Sequence, residues 1–412
     1  MTNGNEGIWM YFKYLILLML SYNAFADDIS FNAYVAQIEK HSSVLAIKLD
    51  SEKLKEEGLV ESSWGDPTFH VSAINFPEKS IHRNKSPMTA IKYSLSQKIA
   101  LTNKFGNMKE AFDLAADGRK LDADNQKKIF IKTLWIIAIE KRRILSDLKI
   151  YNENSEWVEN TLTISKKLYT NGRIGQQALL DIQIRKSDLE TMIFNEEASL
   201  KIINSKLSFF NNNYTTIDLA TVPWGLLDEE KIGSDYVEYS LKKNLASKEK
   251  LLLAHYKNII PDVTVGFSYT NRNDLDGLGD FVGLSISFPF PLSGSKYGNH
   301  NMAVQERAIA DYSYRSYKSL KRAKVKEYSH IIEKINNELD NLVNKSKGYA
   351  LNSREIKSKS YRLGKSTYYE LLNSELQLQK ILLKENELRS LLAQIKIERN
   401  YLKGAALYEA TK

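Results

Sequence analysis

The chain has 412 residues, 43% of them hydrophobic and 26% charged, and its 58 Lys and Arg against 50 Asp and Glu give a formal net charge of +8. It contains no cysteine, which excludes a disulfide framework, a thiolate metal site and an acyl anchor on an N-terminal cysteine. The basic residues are scattered through helix-forming segments among many glutamates, the pattern of solvated helix surfaces rather than of a nucleic-acid patch.

In chain order, Lys13, the apolar run Leu15 to Leu20 and the Ala24-Phe25-Ala26 site make a basic start, a short apolar core and a small-x-small cleavage signal. They predict a signal peptide over 1–26, with Met10 as an alternative start and an uncut N-terminal anchor as the competing reading. The run is shorter than the roughly 20 apolar residues a spanning helix needs. An exported chain with no later helical span is expected in the periplasm, outside the cell, or in an outer membrane as a barrel.

Beyond Pro67, Phe69, Val71 and Ala73 form one face of an alternating segment. Ile91, Tyr93 and Leu95 then alternate with Lys92, Ser94 and Ser96. Period two predicts strands at about 67–76 and 89–101, joined by the proline-containing loop from Phe76 to Pro87. His70 and Lys92 share the polar parity and are expected to be bystanders rather than a filter. No proline occurs from Met88 to Val222 or from Leu292 to the end, and both stretches are rich in helix formers.

The first stretch predicts a helical hairpin over about 104–210. Its first arm, about 65 residues, is on the order of 95 Å long at 1.5 Å per residue, and the chain turns at Asn171-Gly172. The pattern then recurs. Val263, Val265, Phe267 and Tyr269, then Val282, Leu284, Ile286 and Phe288, predict strands at about 261–271 and 280–290 around a Gly/Asp/Asn loop. A second helical hairpin follows over about 299–406, with its turn at Gly364. Its return arm carries Leu376, Ile381, Leu382, Leu388, Leu391, Leu392 and Ile395, a stripe suited to helix packing.

The recurrence is literal at two landmarks. Tyr169, Gly172 and Leu179-Leu180 return as Tyr361, Gly364 and Leu371-Leu372, all at an offset of 192, and Pro67 returns as Pro261. A long fixed period indicates duplication, here of a unit spanning 27–222 and then 223–412. The expected fold is therefore mainly α with a small β part, a two-fold repeat of β-hairpin plus long antiparallel helical hairpin. Four strands cannot close a barrel, and open edges are not tolerated in lipid, so copies must pool their strands. A trimer would supply twelve.

At Phe281 to Gly294, FVGLSISFPFPLSG, the chain resembles the outer membrane efflux protein (TolC) family, whose second strand-to-helix passage has a Gly-Leu-Ser and Pro-Leu segment before a glycine. Ser94-Leu95-Ser96-Gln97 with Ile99 and Lys104 is similar to the first passage. Tyr-x-x-Gly before Leu-Leu is similar to both hairpin turns. The short chain and the Pro-Phe-Pro-Leu passage also look like the heavy-metal branch of that family.

The resemblance implies a homotrimer with a 12-stranded barrel in outer membrane lipid, continued by a 12-helix periplasmic α-barrel, in a Gram-negative bacterium. It implies partnership with a periplasmic adaptor and an inner membrane pump, docked through turn residues Gly172, Arg173, Gly364 and Lys365. Residues 212–228 would form a belt, 229–258 a helix climbing back, and 28–58 its counterpart. For the entrance gate it points to Tyr361 and Glu370. The second acid of the family's pair falls at Asn373, and the first-half acid that would bond the tyrosine falls at Ala178, with Gln177 and Asp181 beside it. A ring of Glu370 carboxylates would favour cations; a solvated helix residue is the alternative.

No catalytic constellation stands out. The six histidines show no metal-ligand spacing on one helix, and Gly364-Lys365-Ser366-Thr367 lacks the upstream glycine of a phosphate loop. The expected function is a passive export duct, with no enzyme activity, cofactor, metal or nucleic acid. The alternatives are an outer membrane component of type I protein secretion and a periplasmic coiled-coil adaptor, which would carry one helical hairpin rather than two.

Overall fold

A computed structural model describes residues 28–210, 216–229, 231, 233–290, 292 and 294–408. The expected signal peptide, residues 212–215 of the expected belt and Pro291 of the Pro-Phe-Pro passage lie outside them. The chain forms two compact units. One combines the residues up to 41 with 127–234 and 324 onward; the other combines 42–126 with 235–323. Each unit draws on both sequence halves.

The second unit holds a four-stranded antiparallel sheet in the order β2 (Thr68–Ile74), β3 (Ala90–Ile99), β5 (Val263–Arg272), β6 (Phe281–Ser287). Each strand is shorter than its alternating segment because Pro67, Pro87, Pro261 and Pro289 stand outside the ladders, where a residue without an N–H can be placed. The register aligns side chains into rows across all four strands. Phe69, Leu95, Phe267 and Leu284 form one apolar row, and Val71, Tyr93, Tyr269 and Val282 the next. On the opposite face the rows read His70, Ser94, Ser268, Gly283 and Ser72, Lys92, Thr270, Phe281. His70 and Lys92 thus stand on the polar face. The apolar rows are left uncovered, Phe69 at 63% and Leu284 at 73% exposure.

Helices α2 (Ser42–Glu61) and α5 (Tyr236–Lys257) of the same unit pack on the first part of α3 (Lys104–Thr170). Ser51 on α2 and Ser247 on α5 each donate a buried 2.7 Å hydrogen bond to an α3 carbonyl, Ala116 and Ala111 respectively. The climbing helix expected from 229 begins instead at Tyr236. Asp235 caps it by accepting the Glu238 N–H and also holds Lys321 and Tyr317, which fixes the start. The segment expected as one helix from 28 is two, because α1 (Phe31–Glu39) ends at Lys40 before α2 begins.

The other unit is built from α1, the rest of α3, α4 (Gln176–Leu207) and the three segments α6 (Ser295–Asn341, its last residues), α7 (Lys347–Arg362) and α8 (Tyr368–Lys403). A minimal parallel pair, β1 (Asp28–Ile29) with β4 (Thr216–Ile217), and a 3₁₀ turn at Trp224–Leu227 complete it. Helix α3 runs 67 residues without interruption. Its counterpart, expected as one helix to Arg362, carries a π turn at Leu342–Ser346 between α6 and α7. Among the described residues no helix is long and apolar enough to cross a membrane.

Candidate functional site at the paired helix turns

The two repeated turns are the same hydrogen-bonded object. At the first, the Gly172 N–H donates to the Tyr169 carbonyl at 2.9 Å and the Arg173 N–H to the Leu168 carbonyl at 2.9 Å. At the second, Gly364 donates to Tyr361 and Lys365 to Ser360, both at 2.9 Å. This is the Schellman closure, which satisfies the last carbonyls of a helix and places its C′ residue in the left-handed region. Gly172 has φ of 68° and Gly364 of 70°, where a Cβ is strained. The turns lie side by side, with the Arg173 Cδ 4.0 Å from where a Cβ on Gly364 would sit.

Behind them lies a core of Val158, Leu162, Leu168, Ile182, Leu189, Tyr361, Tyr368 and Leu371, drawn from α3, α4, α7 and α8. Fully burying one such leucine contributes about 1.5–3 kcal/mol. Tyr361 joins this core to its turn, since its carbonyl accepts the Gly364 N–H while its hydroxyl lies 2.7 Å from the Ser165 hydroxyl on α3. Burial pushes the Tyr361 and Tyr368 phenols up, so both stay neutral. Their rings meet edge to face, 6.2 Å apart. Tyr169, the repeat equivalent of Tyr361, plays the same backbone part with its side chain exposed.

Glu370 is the third residue of α8. Its N–H is capped by the Thr367 hydroxyl at 3.3 Å, and its carboxylate pairs with Lys357 at 3.0 Å. The hydrogen bond and charge of Lys357 hold the carboxyl below its usual range. Asn373 is exposed, and Gln177 and Asp181 bond to one another at 2.9 Å on α4. Ala178, where the resemblance implied a first-half acid, is partly buried against the core. The tyrosine's partner is therefore Ser165.

Sequence reasoning missed the polar centre of this unit. Arg185 on α4 and Glu375 on α8, 5% and 0% exposed, pair at 3.0 Å. Arg185 also bonds Gln379, whose carbonyl accepts from Asn154 of α3 at 3.1 Å. Burial pushes the Glu375 carboxyl up, and Arg185 opposes it without cancelling it. Two helix stripes carried the signal. Arg185 falls between Ile182 and Leu189, and Glu375 between Leu371 and Leu378, so each charge occupies a core position. Among the described residues no group of three or more His, Asp or Glu is arranged to hold a metal ion.

No protein-family model matches the sequence, and no curated protein does. Solved structures do. The outer membrane protein VceC from Vibrio cholerae aligns over 92% of this chain and 97% of its own with a TM-score of 0.73 at 13% identity. The chain has the fold of outer membrane efflux channels. CusC, described in connection with transmembrane channel formation, gives a TM-score of 0.73 at 11% identity over 92% of this chain and 94% of its own. The open-state MtrE outer membrane channel of Neisseria gonorrhoeae gives 0.67 at 15% identity over 92% and 89%. In this efflux-channel fold the mainly helical body and the small sheet of the present chain both find counterparts.

Proposed function

We propose that the protein is an outer membrane export channel. It is a homotrimer that pools three four-stranded sheets into a twelve-stranded barrel, continues it as a helical tunnel, and receives cargo from an inner membrane pump through a periplasmic adaptor. The observation that carries this reading is the sheet itself. Its apolar rows are uncovered, and β2 and β6 each present an unpaired edge. Lipid satisfies the first, and only closure with further strands satisfies the second. The efflux-channel fold over 92% of the chain supports it.

The duplicated unit, 27–222 and 223–412, supplies two strands and one helical hairpin per copy. The turns at Gly172, Arg173, Gly364 and Lys365 form the entrance and the adaptor-docking surface. Tyr361 and Glu370 are the gate candidates, with Asn373, Gln177 and Asp181 beside them. Because Lys357 pairs with Glu370, three such carboxylates would act as ion pairs until Lys357 swings aside. The cargo stays open between metal ions, drugs and a polypeptide.

Fractionation tests the reading: heat-resistant oligomers in the outer membrane are expected, whereas a soluble periplasmic monomer would overturn it. In single-channel recordings Glu370→Ala should lower cation preference and Lys357→Ala should raise it. Unchanged selectivity in both removes Glu370 from the gate.

A further inference from the structure

A cavity of about 320 Å³ lies within the unit that carries the turns, away from the gate residues, between one face of α3, one face of α8 and the 3₁₀ turn. That volume falls at the lower end of small-molecule sites. On α3, Ile139, Arg142, Arg143 and Ser146 share a helical face, and on α8 Asn386, Arg389, Ala393 and Lys396 do. Four cations line the cavity, against one carboxylate, Asp228.

These cations are held in place. Arg143 bonds the buried Asp147 at 2.5 Å, and Asn386 fixes that carboxylate from its other oxygen at 2.8 Å. Arg389 gives both its Nε and an Nη to one oxygen of Glu385, at 3.0 and 2.8 Å, while Lys347 takes the other oxygen at 2.9 Å. Lys396 pairs with Asp228 at 2.5 Å. Arg142 has no carboxylate among the described residues; it lies over the Trp224 ring, 4.7 Å from the centroid. Trp224 is in turn fixed by its indole N–H on the Leu219 carbonyl at 3.0 Å and by the edge of Trp135 at 5.6 Å.

A bare surface arginine is ordinarily solvated. Here the guanidinium stands on an aromatic wall at the rim of a half-open, net-positive cleft whose other cations are already oriented. An anion entering that space meets fixed donors and pays little reorganisation. We infer that this cavity binds a small polyanionic molecule carrying carboxylate or phosphate groups, with Arg142 as its principal ligand and Arg389 and Lys396 contributing. The site is complete within one protomer and does not depend on the export reading.

The test titrates the purified full-length protein in nonionic detergent with inorganic pyrophosphate and, separately, citrate, at constant ionic strength near 0.15 M. Calorimetry and tryptophan fluorescence provide the readouts. Saturable binding of at least one anion is expected, with the fluorescence change abolished in Trp224→Phe. Pyrophosphate alone would assign phosphate chemistry, and citrate alone carboxylate chemistry. Arg142→Gln and Arg389→Gln should each weaken binding about tenfold or more, as loss of one charge-assisted hydrogen bond does. Lys359→Gln, an exposed side chain on α7 near the Gly364 turn, should bind like wild type. If Arg142→Gln fails to accumulate, Arg389→Gln decides, since that side chain is 59% exposed. A non-saturable response to both anions, or wild-type affinity in both arginine variants, overturns the inference.

Discussion

Replacing Arg185 by methionine leaves the Glu375 carboxylate, 0% exposed, without its cation. Breaking such a pair from one side costs about 3–5 kcal/mol, but a carboxyl has an escape: it can take up a proton. With an unfolded value near 4.3, protonation at pH 7 costs about 3.7 kcal/mol, and at pH 5 about 1 kcal/mol. These figures bound the penalty of Arg185→Met at the two pH values. In the wild type the carboxyl is already raised, so its contribution to stability is fullest below the unfolded value and declines as pH rises through the folded one. Removing Arg185 steepens that decline.

The reverse change behaves differently. Glu375→Leu strands a guanidinium that cannot deprotonate, so its loss of about 3–5 kcal/mol should be similar at both pH values. The double variant should recover most of either loss, because two buried charges are removed together. Urea unfolding of the purified protein in detergent, each variant against wild type at the same pH, measures all three. An Arg185→Met penalty equal at pH 5 and pH 7 would refute the protonation argument.

Three further outcomes follow from the same region. Gly364→Val forces a β-branched residue to φ near 70° and should cost about 1–2 kcal/mol and reduce export, with Gly364→Asn milder; wild-type melting of the valine variant would count against the turn geometry. Tyr361→Phe leaves the buried Ser165 hydroxyl without its partner and should cost about 1 kcal/mol in thermal unfolding, while Tyr169→Phe should be silent. Burial would push the Glu385 carboxyl up, but the bonds from Lys347 and Arg389 outweigh it and hold it low. Its stabilisation is therefore present above about pH 4.3 and lost as pH falls through the folded value. Acid titration of Glu385→Gln should show a deficit at pH 7 that fades below about pH 4.

What was legible in the sequence was whatever depends on local periodicity. The alternation of Val263 to Tyr269 and of Val282 to Phe288 specified which side chains share a face, and the register places them in common rows. Proline-free runs gave the long helices, and glycine after Tyr-x-x gave the turns. The π turn at Leu342–Ser346 had no local sign, because those residues suit an ordinary helix. Asp235 took the cap of α5 through partners more than 80 residues away. The Arg185 and Glu375 pair was hidden for a different reason: a charge in an apolar stripe looks like a surface residue until three helices enclose it. The same holds for Ser165, which meets the Tyr361 hydroxyl by standing at the right depth on α3.

The closure of both turns rests on main-chain donors and acceptors alone, with one position in each asking for a particular residue. Such a device places almost no demand on neighbouring side chains, so mutation can rewrite the surroundings freely while the chain still reverses at the same point. Two copies sharing it can drift apart, one anchoring its tyrosine in the core and the other releasing it to water. Chains at 13% identity share the fold on the same terms. The architecture is thus specified through backbone geometry, and it is legible in shape where it is not legible in spelling.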